Sequence, residues 1–322
     1  MSPTPNTSPV QPVGGFRSIF VTPTGLRAGW RLLAFICFFV VSQACLQYLL
    51  IRYSPLLREL LIATGTQKGE FRPTGLLTLE VVNLVALGMA LFAMTTIERS
   101  RVRDYGFASP VRLGALRFGE GLVWGLAMVT ALCLALKAEG HFSFGPVVLS
   151  APLALRYGLL WAAATLAVGL FEETLFRGYG QITLASGIGF WPSAILLSAA
   201  FGLTHLGDVG YTWLGVVTAA LFGMIFSLSL RRTGSLWLGI GFHAAFDFAE
   251  TFLFSPPNGG IANISTHLFA SSLSGPSWLT GGGTGVEGGI NGLVAFAVVF
   301  LLFNWIHPAR TKNLGQQSVS AP

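Results

Sequence analysis

The chain has 322 residues, of which 52% are hydrophobic and 10% charged, and its formal net charge is +6. A soluble domain carries about 25% charged residues, so burial in water cannot absorb this sequence; the composition implies an all-α, polytopic transmembrane helical bundle. The cations sit between apolar runs, not along one soluble face, which excludes a nucleic-acid partner and makes them reporters of topology.

Residues 1–16, MSPTPNTSPVQPVGGF, are uncharged and rich in Pro, Ser and Thr. They read as a disordered tail, extended to residue 28 on the cytoplasmic side. They lack the basic start and apolar core of a signal peptide. A bilayer-spanning helix needs roughly 20 apolar residues. About eight candidates follow, at 30–51, 75–97, 118–137, 153–171, 191–206, 212–230, 235–254 and 290–307. The fourth runs on into a charged turn, EETLFR, and the fifth starts at Trp191-Pro192, since Pro suits a first helical position. The chain divides into amino-terminal helices (29–150), a core (151–255), a Gly/Ser-rich flexible loop (256–289), a last helix (290–310) and a cytoplasmic tail (311–322). No internal repeat is evident.

With the amino terminus inside, the inner segments hold 12 Lys and Arg and the outer ones 6, with Arg177 left uncounted. Both termini are therefore expected in the cytoplasm, and the protein in the cell (inner) membrane. Cys37, Cys45 and Cys133 lie in apolar runs without a C-x-x-C and are expected as packed small hydrophobes. Gly121 and Gly125, and Gly215, Ala219 and Gly223, are spaced for close helix contact.

Ionisable groups inside a bilayer are costly and face one another or a wet cavity. Three apolar segments carry such groups here. In EETLFR, Glu173 and Arg177 are four apart, the favoured order for a helical ion pair. Glu172 lies about 100° round the helix from Glu173. The expected division is Glu173–Arg177 as an orienting pair and Glu172 as the free base. FGLTHLGD brings His205 four residues after Phe201, with Asp208 interfacial. LWLGIGFHAAFDFAE places His243 and Asp247 on one helical face, with Glu250 interfacial near the end. A helix-end ion pair, a satisfied polar His and an intrahelical His–Asp bond would explain each motif alone. Together, in order, they point to convergence on one site. The chain has no H-e-x-x-H zinc-protease helix and no paired aspartates in a G-x-G-D setting. Its one G-x-S-x string, at Gly275–Trp278, falls in the loop.

E-E-x-x-x-R, then F-x-x-x-H, then H-x-x-x-D on successive helices resembles the CPBP family. That family includes the type II CAAX prenyl endopeptidases and bacterial relatives labelled abortive infection or bacteriocin-processing proteins. The resemblance covers roughly residues 153–255. It implies an intramembrane endopeptidase acting on a membrane-anchored, prenylated or leader peptide. By motif position, Glu172 and His205 would activate the attacking water. His243 and Asp247 would stabilise the oxyanion, with Glu173 and Arg177 in support. The prenyl-protease relatives carry Asn where this chain has Asp247, so Asp247 would have to be protonated, bonded to His243 or a metal ligand. Zinc held by His205, His243 and Glu172 is one form of the site; a metal-free Glu172–His205 pair is the other. The kink near Gly178 and Gly180 would open the pocket to the cytoplasm.

Two other functions fit buried Glu, His and Asp. A proton- or ion-coupled transporter calls for paired repeats and broken helices in both halves, whereas these groups cluster in one half. A catalytically silent membrane scaffold or immunity protein would not need the motif residues.

Overall fold

The apolar runs fold as helices, and several of their ends are set by residues that start or stop a helix. A computed structural model describes residues 15–23, 25–59, 72–208, 210–256 and 266–309. Helix α1 is Ala28–Tyr53, and α2 is Pro73–Glu98 with its proline in the first turn. Helix α3 is Val111–Ala138, and α4 is Ala151–Glu173. A π-helical turn, Thr174–Gly180, joins α4 to α5, Gln181–Ile188. Helix α6 is Phe190–Thr204. Helix α7, Trp213–Thr233, opens on a Thr212 side chain that accepts from the Gly215 N–H and closes on Gly234 at φ 69°. Helix α8, Trp237–Phe248, runs into a second π-helical turn, Ala249–Phe254. A four-residue α9, Ser277–Thr280, precedes α10, Ile290–Ile306.

The protein is an all-α polytopic bundle. Among the described residues, six helices are long and apolar enough to cross a membrane, with α4, the π-turn and α5 counted as one continuous helix, Ala151–Ile188. Helix α8 with its extension, and α10, stand where the last two spans were expected.

Helix α8 is the axle. Nearly its whole circumference is buried, from Leu238 through Phe246, and α3 and α4 pack on it. The contact with α3 is a backbone contact. A methyl at Gly121 would strike the Leu238 carbonyl and the Phe242 N–H, and one at Gly125 the Phe242 carbonyl and the Phe246 N–H. Small residues let backbones approach this closely, as their spacing suggested. An aromatic core of Phe222, Phe226, Phe242, Phe246 and Phe296 fills the space between α7, α8 and α10. Apolar side chains such as Val41, Phe92, Leu301 and Trp305 point outward, as a lipid-facing surface requires.

Three sequence expectations change. The stretch Gly15–Leu26 is not a formless tail: it forms a 3-10 turn, Gly15–Ile19, and an antiparallel pair of strands, β1 (Val21–Thr22) and β2 (Gly25–Leu26). Residues 1–14 lie outside the described residues, as does 310–322 of the carboxyl-terminal tail. Only Cys133 is a packed core residue; Cys37 and Cys45 are on the exposed face of α1.

The third concerns the loop. Residues 257–265 lie outside the described residues, but 266–289 is folded back onto the bundle. Strand β4 (Ser272–Leu273) pairs with β3 (Phe142–Ser143). The Trp161 Nε1–H donates to Thr266 Oγ1 at 3.0 Å. The Thr212 N–H donates to Thr284 Oγ1 at 3.0 Å. The Gly/Ser content that suggests flexibility serves close packing here: Gly283 lies against the Gly210 backbone, and a methyl on Gly288 would overlap Thr284.

Candidate active site

The π-helical turn presents the first motif. Turns of this kind are rare and recur at functional sites. This one is braced from its far side by Glu98, at the end of α2. The Tyr179 hydroxyl donates to Glu98 Oε1 at 2.5 Å and the Tyr105 hydroxyl to Oε2 at 2.8 Å, while Arg31 of α1 pairs with Glu98 at 2.6 Å. Gly178 and Gly180, at the expected kink, lie inside the bundle. Both are buried, Gly178 against Leu236 and the Tyr105 carbonyl, and Gly180 against the Leu175 carbonyl.

Glu173 and Arg177 are sealed in the interior, 0% and 1% exposed at the side chain, with Arg177 Nη1 3.0 Å from Glu173 Oε1. The guanidinium lies 4.5 Å from the Phe201 ring centroid and 5.3 Å from that of Phe226, an arrangement that favours a cation beside a π face. Gly223 of α7 makes the room: a methyl there would collide with Arg177. The small-residue spacing in α7 had suggested packing alone, and the guanidinium it admits was not legible from it.

His243 is the hub. Its Nδ1–H donates to Glu173 Oε1 at 3.1 Å. Its Nε2 lies 3.5 Å from Glu172 Oε2 and 3.7 Å from Asp247 Oδ2. Its ring stacks on Phe226 at 5.2 Å and 18°. Glu172 and Asp247 keep 23% and 25% of their side-chain surface open, so the cluster grades from a dry ion pair to two accessible carboxylates within one turn of helix.

His205 stands apart. Its Nδ1 is 2.9 Å from the Phe201 carbonyl oxygen. A carbonyl only accepts, so this nitrogen carries a proton, and in the neutral ring the lone pair is on Nε2. The Phe201 ring spans between the imidazoles, its centroid 5.0 Å from His205 and 6.0 Å from His243. Among the described residues no hydrogen bond joins His205 to Glu172, and a bridging water would have to link them. Tyr211 stacks on the outer face of His205 at 5.3 Å and 30°.

Five of the six expected residues thus meet directly, and the sixth faces them across an aromatic ring. Asp208 is exposed, as its interfacial reading required. Glu250 is not interfacial. It is 2% exposed, and its carboxyl bonds to that of Glu287 from the folded-back loop. Burial pushes the Glu287 carboxyl above its ordinary range, and the bond with Glu250 opposes that rise. Glu80, on α2, was also missed. It is buried, and it lies within electrostatic reach of Glu172, Asp247 and His243. Its signal was an acid in the middle of an apolar span.

The three motifs in chain order, brought together by this geometry, all lie in one segment that resembles a known family. Residues 152–249 match the Type II CAAX prenyl endopeptidase Rce1-like family model. No curated protein and no solved structure matches the chain. The CAAX endopeptidase-like segment runs from the start of α4 to the end of α8, and so includes all six motif residues. The family points to a membrane protease of the CAAX type.

A zinc ion held by His205, His243 and Glu172 does not fit this donor set. Zinc needs three or four ligand atoms converging at about 2 Å. Among the described residues no three His, Cys, Asp or Glu side chains are so grouped. His243 has Nδ1 committed to Glu173 and Nε2 facing two carboxylates, while His205 lies beyond Phe201. No step is therefore routed through a metal.

Proposed function

We propose that this protein is an intramembrane endopeptidase of the CAAX-protease type, cutting a peptide bond in a membrane-anchored, prenylated or leader peptide. The observation that carries the reading is the split between two adjacent acids. Glu173 is fully buried and neutralised by Arg177, whereas Glu172 is accessible and 3.5 Å from His243.

Glu172 takes a proton from a water whose oxygen adds to the scissile carbonyl carbon. His205, with Nε2 free to accept, holds that water from the opposite side. The oxyanion that forms is met by His243, whose Nε2 lies on the side of the accessible carboxylates. Collapse of the tetrahedral intermediate breaks the C–N bond, and the departing amine takes the proton from Glu172. Asp247 acts through His243, keeping the imidazole in its donor form. In this reading the oxyanion's donor is the imidazole, and Asp247, in place of Asn, serves it. The protein is an integral membrane protein, and we place both termini on the cytoplasmic side of the cell membrane from the excess of cations in the inner segments.

The test is cleavage of membrane-anchored and prenylated peptides by the purified, detergent-solubilised chain. A general base contributes about 10²–10⁴-fold, so Glu172→Gln is expected to lower kcat by that order, with His205→Ala also impaired. Wild-type cleavage by both variants would refute the assignment.

A further inference from the structure

Glu80 lies on α2, outside the segment matched by the family. Its side chain is buried, at 7% exposure. Oε1 accepts from Asn83 Nδ2 at 3.3 Å, and Asn83 Oδ1 accepts from Gln43 Nε2 of α1 at 2.8 Å. Oε2 is buried and has no hydrogen-bond partner among the described residues. The charged groups acting on it are Glu172, foremost, then Asp247 and His243.

Four carboxyl groups therefore share this part of the interior: Glu80, Glu172, Glu173 and Asp247. Arg177 pairs with Glu173, and His243 reaches Glu172, Glu173 and Asp247. Glu80 touches neither cation, and its one donor is a neutral amide. A buried carboxylate without a cation is strongly disfavoured, whereas a carboxylic acid needs only an acceptor for its O–H. The nearest need for a donor is among the acids it faces.

We propose that Glu80 is a further positioning residue of the site: a neutral carboxylic acid whose Oε2–H is offered to Glu172 through one water, holding that base ionised and oriented. The inference rests on the reading of Glu172 as the base. It also gives the polar chain Gln43–Asn83–Glu80 a purpose, since Asn83 fixes one oxygen and leaves the other to face the site.

Infrared spectroscopy of the full chain in lipid nanodiscs reads the proton without any substrate. The Glu80→Gln spectrum should lack a protonated-carboxyl C=O band that the wild type shows at neutral pH; spectra with the same band in both overturn the proposal. Kinetics read the donor. Gln keeps a neutral donor and should retain kcat within about threefold, whereas Glu80→Met should lose about 10–100-fold in kcat with KM little changed, as expected for a hydrogen bond to a charged group. A Met variant with wild-type kcat, or a Gln variant as poor as Met, refutes the role. If Met fails to fold, the Gln kinetics and the infrared band decide. If no Glu172-dependent cleavage exists, the protease reading falls, and the band still decides whether Glu80 holds a proton.

Discussion

Glu172 and Glu173 are adjacent in sequence and opposite in circumstance. One step of helix leaves the first partly exposed and turns the second into a dry pocket with Arg177. The latter pair is expected to hold the π-turn in place. Breaking a buried pair leaves an uncompensated charge and costs about 3–5 kcal/mol. Arg177→Met should therefore lower the thermal unfolding midpoint sharply, and Arg177→Met with Glu173→Gln should recover much of the loss. An unchanged midpoint in the single variant would sink the pairing as a stabilising feature. The four-residue spacings Glu173–Arg177 and His243–Asp247 were legible in sequence because helical periodicity fixes which residues share a face. Glu80, Tyr211 and Glu287 were not, because periodicity leaves open which way a face turns relative to other helices. Each of these acts on a motif residue from a different element, and none belongs to a local pattern.

The eight apolar runs were legible as elements, since length and hydropathy bound a membrane helix tightly. The loop was misread because composition was taken for mobility. The glycines between 281 and 289 permit contacts that a larger side chain would block, and the segment docks through β4, Thr266, Thr284 and Glu287. Its hold is expected to depend on pH. Glu287 is an acid whose carboxyl is pushed up by burial, with Glu250 bonded to it and His205 acting on it from nearby. Such a group binds more protons folded than unfolded, so its contribution is full below the ordinary carboxylate range and is lost as pH rises through the raised value. Hydrogen-exchange protection of 266–289, corrected for intrinsic rates, should fall from acid to alkaline pH. In Glu287→Gln that dependence should flatten; a slope equal to the wild type would assign it elsewhere.

At the scale of the molecule, the outward apolar residues describe a bundle set in lipid, and the proposed topology puts both termini inside. A single cysteine at Arg103, in a background with Cys37, Cys45 and Cys133 replaced by Ser or Ala, should resist a membrane-impermeant maleimide in intact cells and react after permeabilisation. Labelling in intact cells would invert the topology. The glycine contact between α3 and α8 reaches further than packing. Because Gly121 and Gly125 meet main chain and not side chain, α8 can neither roll nor slide without collision, and the direction in which His243 looks is set by a helix that the family match does not include. Whatever else a distant cousin changes in its first helices, something there must still offer a smooth trough in which the histidine-bearing helix can lie.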